Sequence, residues 1–180
     1  MKFADTKKVI ELETKLLGSA NVYNVLQAVA LAHELGLSDE QIKIGVKRIA
    51  TIEHRLELKK FADINIIDDA YNSNTKGAKM ALEVLKSFEH KKRILITPGI
   101  VDLGDKAVEI NQELGRNAAD SADFIILVGA QQTVPIYNGI REKGYPESNV
   151  YIAKNLQDAL AKMNQIMTKD SVILLENDLP

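Results

Sequence analysis

The run FIILVG at 124–129 constrains the fold more than any other stretch, because nothing polar interrupts it. A strand with one wet face alternates apolar with polar residues, so an unbroken apolar run is covered on both faces. RILIT at 93–97 and SVILLE at 171–176 repeat the pattern. Such strands belong to parallel sheets with helices packed on either side. The predicted strands are 56–61, 64–67, 93–97, 124–129, 149–153 and 171–176. Between them the helical spacing predicts helices at 76–87, 106–120, 133–143 and 156–167, the last capped by Asn155. The expectation is a doubly wound α/β domain whose sheet has about six strands and is mostly parallel.

The first 51 residues read as a mainly helical segment, which places a domain of its own at 52–180. KKVIELETKL fits neither period cleanly and is read as a short strand. In NVYNVLQAVALAHELG, Val22, Val25, Leu26, Val29 and Ala30 fall on one helical stripe that stops at Gly36. Ser38 and Gln41 have the spacing of a capping box at the start of a second helix.

Composition excludes several classes of partner. With 23 basic and 25 acidic residues the net charge is -2, which offers no field for nucleic acid or an acidic membrane. The absence of cysteine rules out disulfides and thiolate metal sites, and His33, His54 and His90 lack metal-ligand spacing, so no metal site is expected. These histidines read as solvated or near-surface residues. MKFADTKKVIELE has no apolar signal core, and a cytoplasmic location is expected.

An open α/β sheet binds ligands off the carboxyl ends of its strands. Three of those ends carry unusual chemistry: DDAYNSN after Ile67, PGIVDLGD after Thr97 and ENDLP after Leu175. Neither the dinucleotide fingerprint G-x-G-x-x-G nor the phosphate loop G-x-x-x-x-G-K-[ST] is present in the sequence.

Taken in order, LLGSANVYNVLQAVALAHELG, HRLEL, INIIDDAYNSN and ILITPGIVDLGD resemble the C-terminal part of the Mur ligases, from about Leu16 onward. The resemblance implies a Rossmann-like domain from an ATP-dependent amide ligase of peptidoglycan synthesis. The substrates it implies are UDP-N-acetylmuramoyl-tripeptide and D-alanyl-D-alanine, joined through an acyl phosphate. Residues 1–51 would close the central ATPase domain, whose phosphate loop binds most of the ATP and Mg. The parent protein would then extend beyond Met1, and the part seen here would be inactive alone. By position, the adenine-binding pair falls on Asn21 and Asn24, the catalytic arginine that meets the ATP phosphates on Arg55, and the ribose-binding acid on Asp69. Tyr71, Asn72 and Asn74 would help to form the substrate pocket. Three departures from the pattern, Ala20 for histidine, Thr75 for proline and PGIVDLG for G-D-M-x-E-L-G, leave the acceptor open.

Each site has a plainer reading. Asn21 and Asn24 suit a helix start. Arg55 lies between Glu53 and Glu57 and suits a surface ion pair. Asp69 suits a turn cap, and PGIVDLGD suits a turn in which Asp105 caps the next helix. A non-catalytic nucleotide- or peptide-binding module, or a folylpolyglutamate- or cyanophycin-type ligase with another acceptor, is the alternative to the cell-wall enzyme.

Overall fold

A computed structural model of the chain describes residues 9–72 and 74–177. The chain divides into two compact units, Met1–Ile52 and Glu53–Pro180.

The first unit contains α1 (Ser19–Glu34) and α2 (Asp39–Lys47). Val25 and Val29 of α1 meet Ile42 and Val46 of α2, with Leu12, Leu16, Ala32 and Ile49 packed around them. Both pairs have the i, i+4 spacing that puts side chains on one face. The buried stripe of α1 is narrower than its sequence implies, since Val22 and Ala30 are exposed. Nine residues of α2 cover little more than two turns of its neighbour. After α1, the Gly36 amide donates to the His33 carbonyl at 2.9 Å and the Leu37 amide to Ala32 at 3.1 Å, the paired bonds of a helix stop. The Ser38–Gln41 capping box forms in both directions.

Among the described residues of KKVIELETKL the expected strand does not form. Val9 makes an isolated bridge and 10–14 have no regular structure, while residues 7 and 8 lie outside the described residues. Without a period of two, the segment has no single apolar face to lay on a sheet.

The second unit runs β1 (Glu57–Phe61), β2 (Ile64–Asp69), α3 (Thr75–Lys86), β3 (Lys92–Thr97), α4 (Ala107–Ala119), β4 (Phe124–Val128), α5 (Val134–Glu142), β5 (Val150–Ala153), α6 (Leu156–Ile166) and β6 (Ser171–Glu176). The sheet order is β1-β2-β6-β3-β4-β5. Only the β1–β2 hairpin is antiparallel, with Glu57 opposite Asp68; the other four pairings are parallel. All five residues of β4 are buried, as its unbroken apolar run requires.

Helices cover both faces. On one, α6 packs over β4 and β5 above Ile94, Ile96, Ile126 and Ile173. On the other, α3, α4 and α5 contact one another in turn. Gly115 and Gly139 let α4 and α5 come together: an added Cβ would stand 2.0 Å from the carbonyl oxygen of Ile136 or of Gln112. Among the described residues no helix is long and apolar enough to cross a membrane.

From β3 to β5 the chain steps in one direction, and then β6 returns to lie between β2 and β3. This reversal sets the carboxyl ends of β2, β6 and β3 side by side, where an open sheet offers a crevice.

Candidate functional site

Hydrogen bonds tie these three ends together. The Asn177 amide, just past β6, donates to the Asp69 carbonyl at 3.1 Å, and its side-chain amide donates to the Gly99 carbonyl. Thr97 Oγ1 donates to Glu176 Oε2 at 3.1 Å and accepts from the Gly99 amide at 3.0 Å, with both side chains fully buried. Gly99 has φ 91°, and a Cβ there would be 2.7 Å from Asn111 Oδ1, so glycine is required on both counts.

Asn111 secures the loop after β3. Its Oδ1 accepts from the Ile100 amide at 2.9 Å, while its Nδ2 donates to the carbonyls of Ile100 at 2.9 Å and Ala107 at 3.1 Å. Asp105, expected to cap the following helix, lies instead in a 3-10 turn, Gly104–Lys106, and α4 begins without a side-chain cap. The loop is anchored from inside the helix, so its first turn needs no carboxylate.

The end of β2 grips the segment that precedes β1. Successive strand residues face opposite sides of the sheet, so Asp68 and Asp69 diverge. Asp69, half-buried, accepts from the Leu56 amide at 2.9 Å through Oδ1. Asp68, 5% exposed, accepts from Lys59 Nζ at 2.6 Å and lies 2.9 Å from His54 Nδ1. The Tyr71 amide donates to the His54 carbonyl at 3.3 Å. His54 and Leu56 have φ 59° and 50°, left-handed conformations that cost non-glycine residues roughly 1–2 kcal/mol each. The clamps on both sides hold that strain.

Arg55 projects between the two clamped residues. Its guanidinium carbon lies 4.6 Å from the centroid of the exposed Tyr71 ring. The ion pair with Glu53 or Glu57 does not form: Glu53 lies 3.5 Å from His54, and Glu57 lies 3.4 Å from Lys59. Among the described residues no carboxylate is within ion-pair distance of Arg55.

The two acids differ electrostatically. Burial pushes the Asp69 carboxyl above its ordinary value, and the Leu56 amide and the charge of Arg55 only partly offset this. Burial also acts on Asp68, but hydrogen bonds from Lys59 and then His54 outweigh it and leave that carboxyl below its ordinary value.

The structure therefore brings together Arg55, Asp69 and Tyr71. Asn74 caps α3, its Oδ1 accepting from the amides of Lys76 at 3.1 Å and Gly77 at 3.0 Å. Asn72 is exposed on the same loop, and residue 73 lies outside the described residues. Asn21 and Asn24 sit in the first turns of α1, in the other unit. Asn21 Nδ2 donates to the Leu17 carbonyl at 2.7 Å, and Asn24 Nδ2 approaches Asn21 Oδ1 at 3.5 Å. Sequence reasoning missed His54, Lys59, Asp68 and Asn111; adjacency to Arg55 and Asp69 was the only hint, and it covered only His54 and Asp68.

A mostly parallel six-stranded sheet, with Arg55, Asp69 and hydrogen-bonded loops gathered at its carboxyl edge, defines a Rossmann-like α/β domain. Residues 54–176 match the family model described as Mur ligase, glutamate ligase domain, and the chain belongs to the Mur ligase family. It is 27% identical over 180 residues to the UDP-N-acetylmuramate–L-alanine ligase of Dictyoglomus turgidum, covering 93% of this chain and 38% of that one. It is 32% identical over 108 residues to the UDP-N-acetylmuramoyl-tripeptide–D-alanyl-D-alanine ligase of Haemophilus influenzae, covering 59% of this chain and 23% of that one. A crystal structure of MurF from Acinetobacter baumannii superposes with a TM-score of 0.76 at 28% identity, over 92% of this chain and 36% of that one. The chain thus spans well under half the length of these relatives.

Proposed function

We propose that the chain is the C-terminal part of an ATP-dependent amide ligase of peptidoglycan precursor synthesis that adds D-alanyl-D-alanine to UDP-N-acetylmuramoyl-tripeptide. The observation that carries this reading is Arg55, an exposed guanidinium oriented by the Tyr71 ring at the carboxyl edge of the sheet. A carboxylate does not condense with an amine until one oxygen becomes a leaving group. Transfer of the ATP γ-phosphoryl group supplies this as an acyl phosphate. The amine then attacks the carbonyl carbon, and the tetrahedral intermediate expels phosphate.

In this scheme Arg55 takes two phosphate oxygens through its planar fork, a geometry a lysine cannot reproduce. Asp69 keeps Oδ2 for the ribose hydroxyls, since Oδ1 is engaged by Leu56. Asn21 and Asn24 are assigned to the adenine edge, to which an amide both donates and accepts. Tyr71, Asn72 and Asn74 shape the acceptor pocket. The described residues hold no group of three or more His, Cys, Asp or Glu able to take a metal ion, and Mg is assigned with the phosphate loop to the central domain of the parent. Residues 1–51 are assigned to the end of that domain, the chain alone is expected to turn over no ATP, and the enzyme is expected in the cytoplasm.

The likeness to the Dictyoglomus turgidum ligase favours a second reading, with L-alanine as the acceptor. The test is ATP-dependent product formation by the complete protein, offered each muramoyl precursor with D-alanyl-D-alanine, L-alanine or D-glutamate. Amide formation only with the tripeptide and D-alanyl-D-alanine supports the proposal. Formation with another pair replaces the substrate, and none with any pair leaves a binding module.

A further inference from the structure

Both oxygens of Asp68 are engaged within the chain. Oδ2 meets Lys59 Nζ at 2.6 Å and His54 Nδ1 at 2.9 Å, and Oδ1 accepts from the Ala70 amide at 3.3 Å. Its neighbour Asp69 uses one oxygen on the Leu56 amide and faces the other side of the sheet. The two carboxylates thus seize the residues on either side of Arg55 from opposite faces, and hold both in left-handed conformations at φ 59° and 50°. A chain released from these clamps relaxes to ordinary backbone angles and turns Arg55 away from Tyr71.

We propose that Asp68 is a positioning residue for Arg55: through His54 and Lys59 it locks residues 54–56 in the conformer that presents the guanidinium. The clamp rests on geometry alone, and its consequence for catalysis rests on the ligase reading of Arg55. Lys59 belongs to the device because it compensates the charge of a carboxylate that is otherwise buried, and so keeps that carboxylate an acceptor for His54. The register that sets Glu57 opposite Asp68 places Lys59 on the same face of the hairpin.

Asp68→Leu tests this at nearly constant side-chain size, because it removes both acceptor oxygens, whereas asparagine would keep one for His54 and Lys59. In the 180-residue chain, proton NMR reads the clamp directly: the Tyr71 ring shields the Arg55 side-chain protons, and the Leu56 amide is protected from solvent exchange. The variant should lose most of the ring shift and exchange the Leu56 amide about tenfold faster, while amides of β3 and β4 stay protected. If Asp68→Leu does not fold, Lys59→Gln at the less buried end of the ion pair should give the same changes in smaller measure. An unchanged ring shift in a folded variant overturns the clamp.

In the complete ligase, Asp68→Leu should lower kcat about tenfold or more with KM for ATP nearly unchanged, as misplacement of one catalytic group does. Lys59→Arg, which keeps the ion pair, should stay close to wild type. A lost ring shift with full kcat would overturn the role in positioning. A wild-type protein without ligase activity would sink the functional reading instead, and the clamp would then stand or fall on the ring shift.

Discussion

The Arg55 guanidinium rests on the face of Tyr71, 4.6 Å from the ring centroid, so an aromatic ring and not a carboxylate sets its direction. A carboxylate partner would have to be displaced before a phosphate could bind. A ring leaves both edges of the fork open while restricting its swing. Tyr71→Phe should therefore keep the kcat of the complete ligase. Tyr71→Ala should lower it about two- to fivefold, the equivalent of the ~0.5–1 kcal/mol such a contact contributes at an exposed site. Steady-state kinetics of the two variants side by side provide the check; a Phe variant as impaired as the Ala variant would assign the hydroxyl, not the ring.

The consecutive acids should respond oppositely to pH. Asp68 is depressed below its ordinary value of 3.8, so its contribution to stability is present above that value and is lost as pH falls through the folded pKa. Asp69 is raised above 3.8, so its contribution is full below that value and is lost as pH rises through the folded pKa. Asp68→Asn should cost about 2 kcal/mol near neutrality, and the deficit should shrink in acid. Asp69→Asn keeps an acceptor for the Leu56 amide and should raise Tm near neutrality, with the gain fading in acid. Urea and thermal unfolding across that range measure both, and changes of the same sign would contradict the assignment.

Asn111 is 5% exposed and makes three hydrogen bonds across the loop after β3. Asn111→Ala leaves the buried amide and carbonyl of Ile100 unsatisfied, at roughly 2–4 kcal/mol in all, while the Ala107 carbonyl keeps its backbone bond within α4. Denaturant unfolding should show the loss, and hydrogen exchange should show the Ile100 amide opening first. A loss below about 0.5 kcal/mol, the scale of an ordinary surface change, would mean that the loop is held elsewhere.

The sheet was legible because its signal is local and strong. The run at 171–176 matches β6 residue for residue, and β4 is buried along its whole length, as its lack of alternation demands. The reading failed where the pattern carried no period, as around Val9, and where a role was assigned by adjacency. Asp105 was expected to cap a helix beside it, whereas the loop is held by Asn111, 11 residues from Ile100. The site followed the same rule. Arg55 and Asp69 could be singled out by type and place, but their partners come from chain reversal: Asp69 reaches Leu56, 13 residues away, only because the β1–β2 hairpin folds in one register. Tyr71 as the support of Arg55, and Asp68 beneath His54, depend on that register too.

The central claim is that Arg55 acts on the phosphates during the reaction. Steady-state ligation by the complete protein, with UDP-N-acetylmuramoyl-tripeptide, ATP and D-alanyl-D-alanine, tests it most directly when wild type is compared with Arg55→Lys. The lysine keeps the charge and loses the fork, so the account predicts a folded variant whose kcat falls about a hundredfold while KM for ATP changes little. Wild-type turnover in the lysine variant would contradict it.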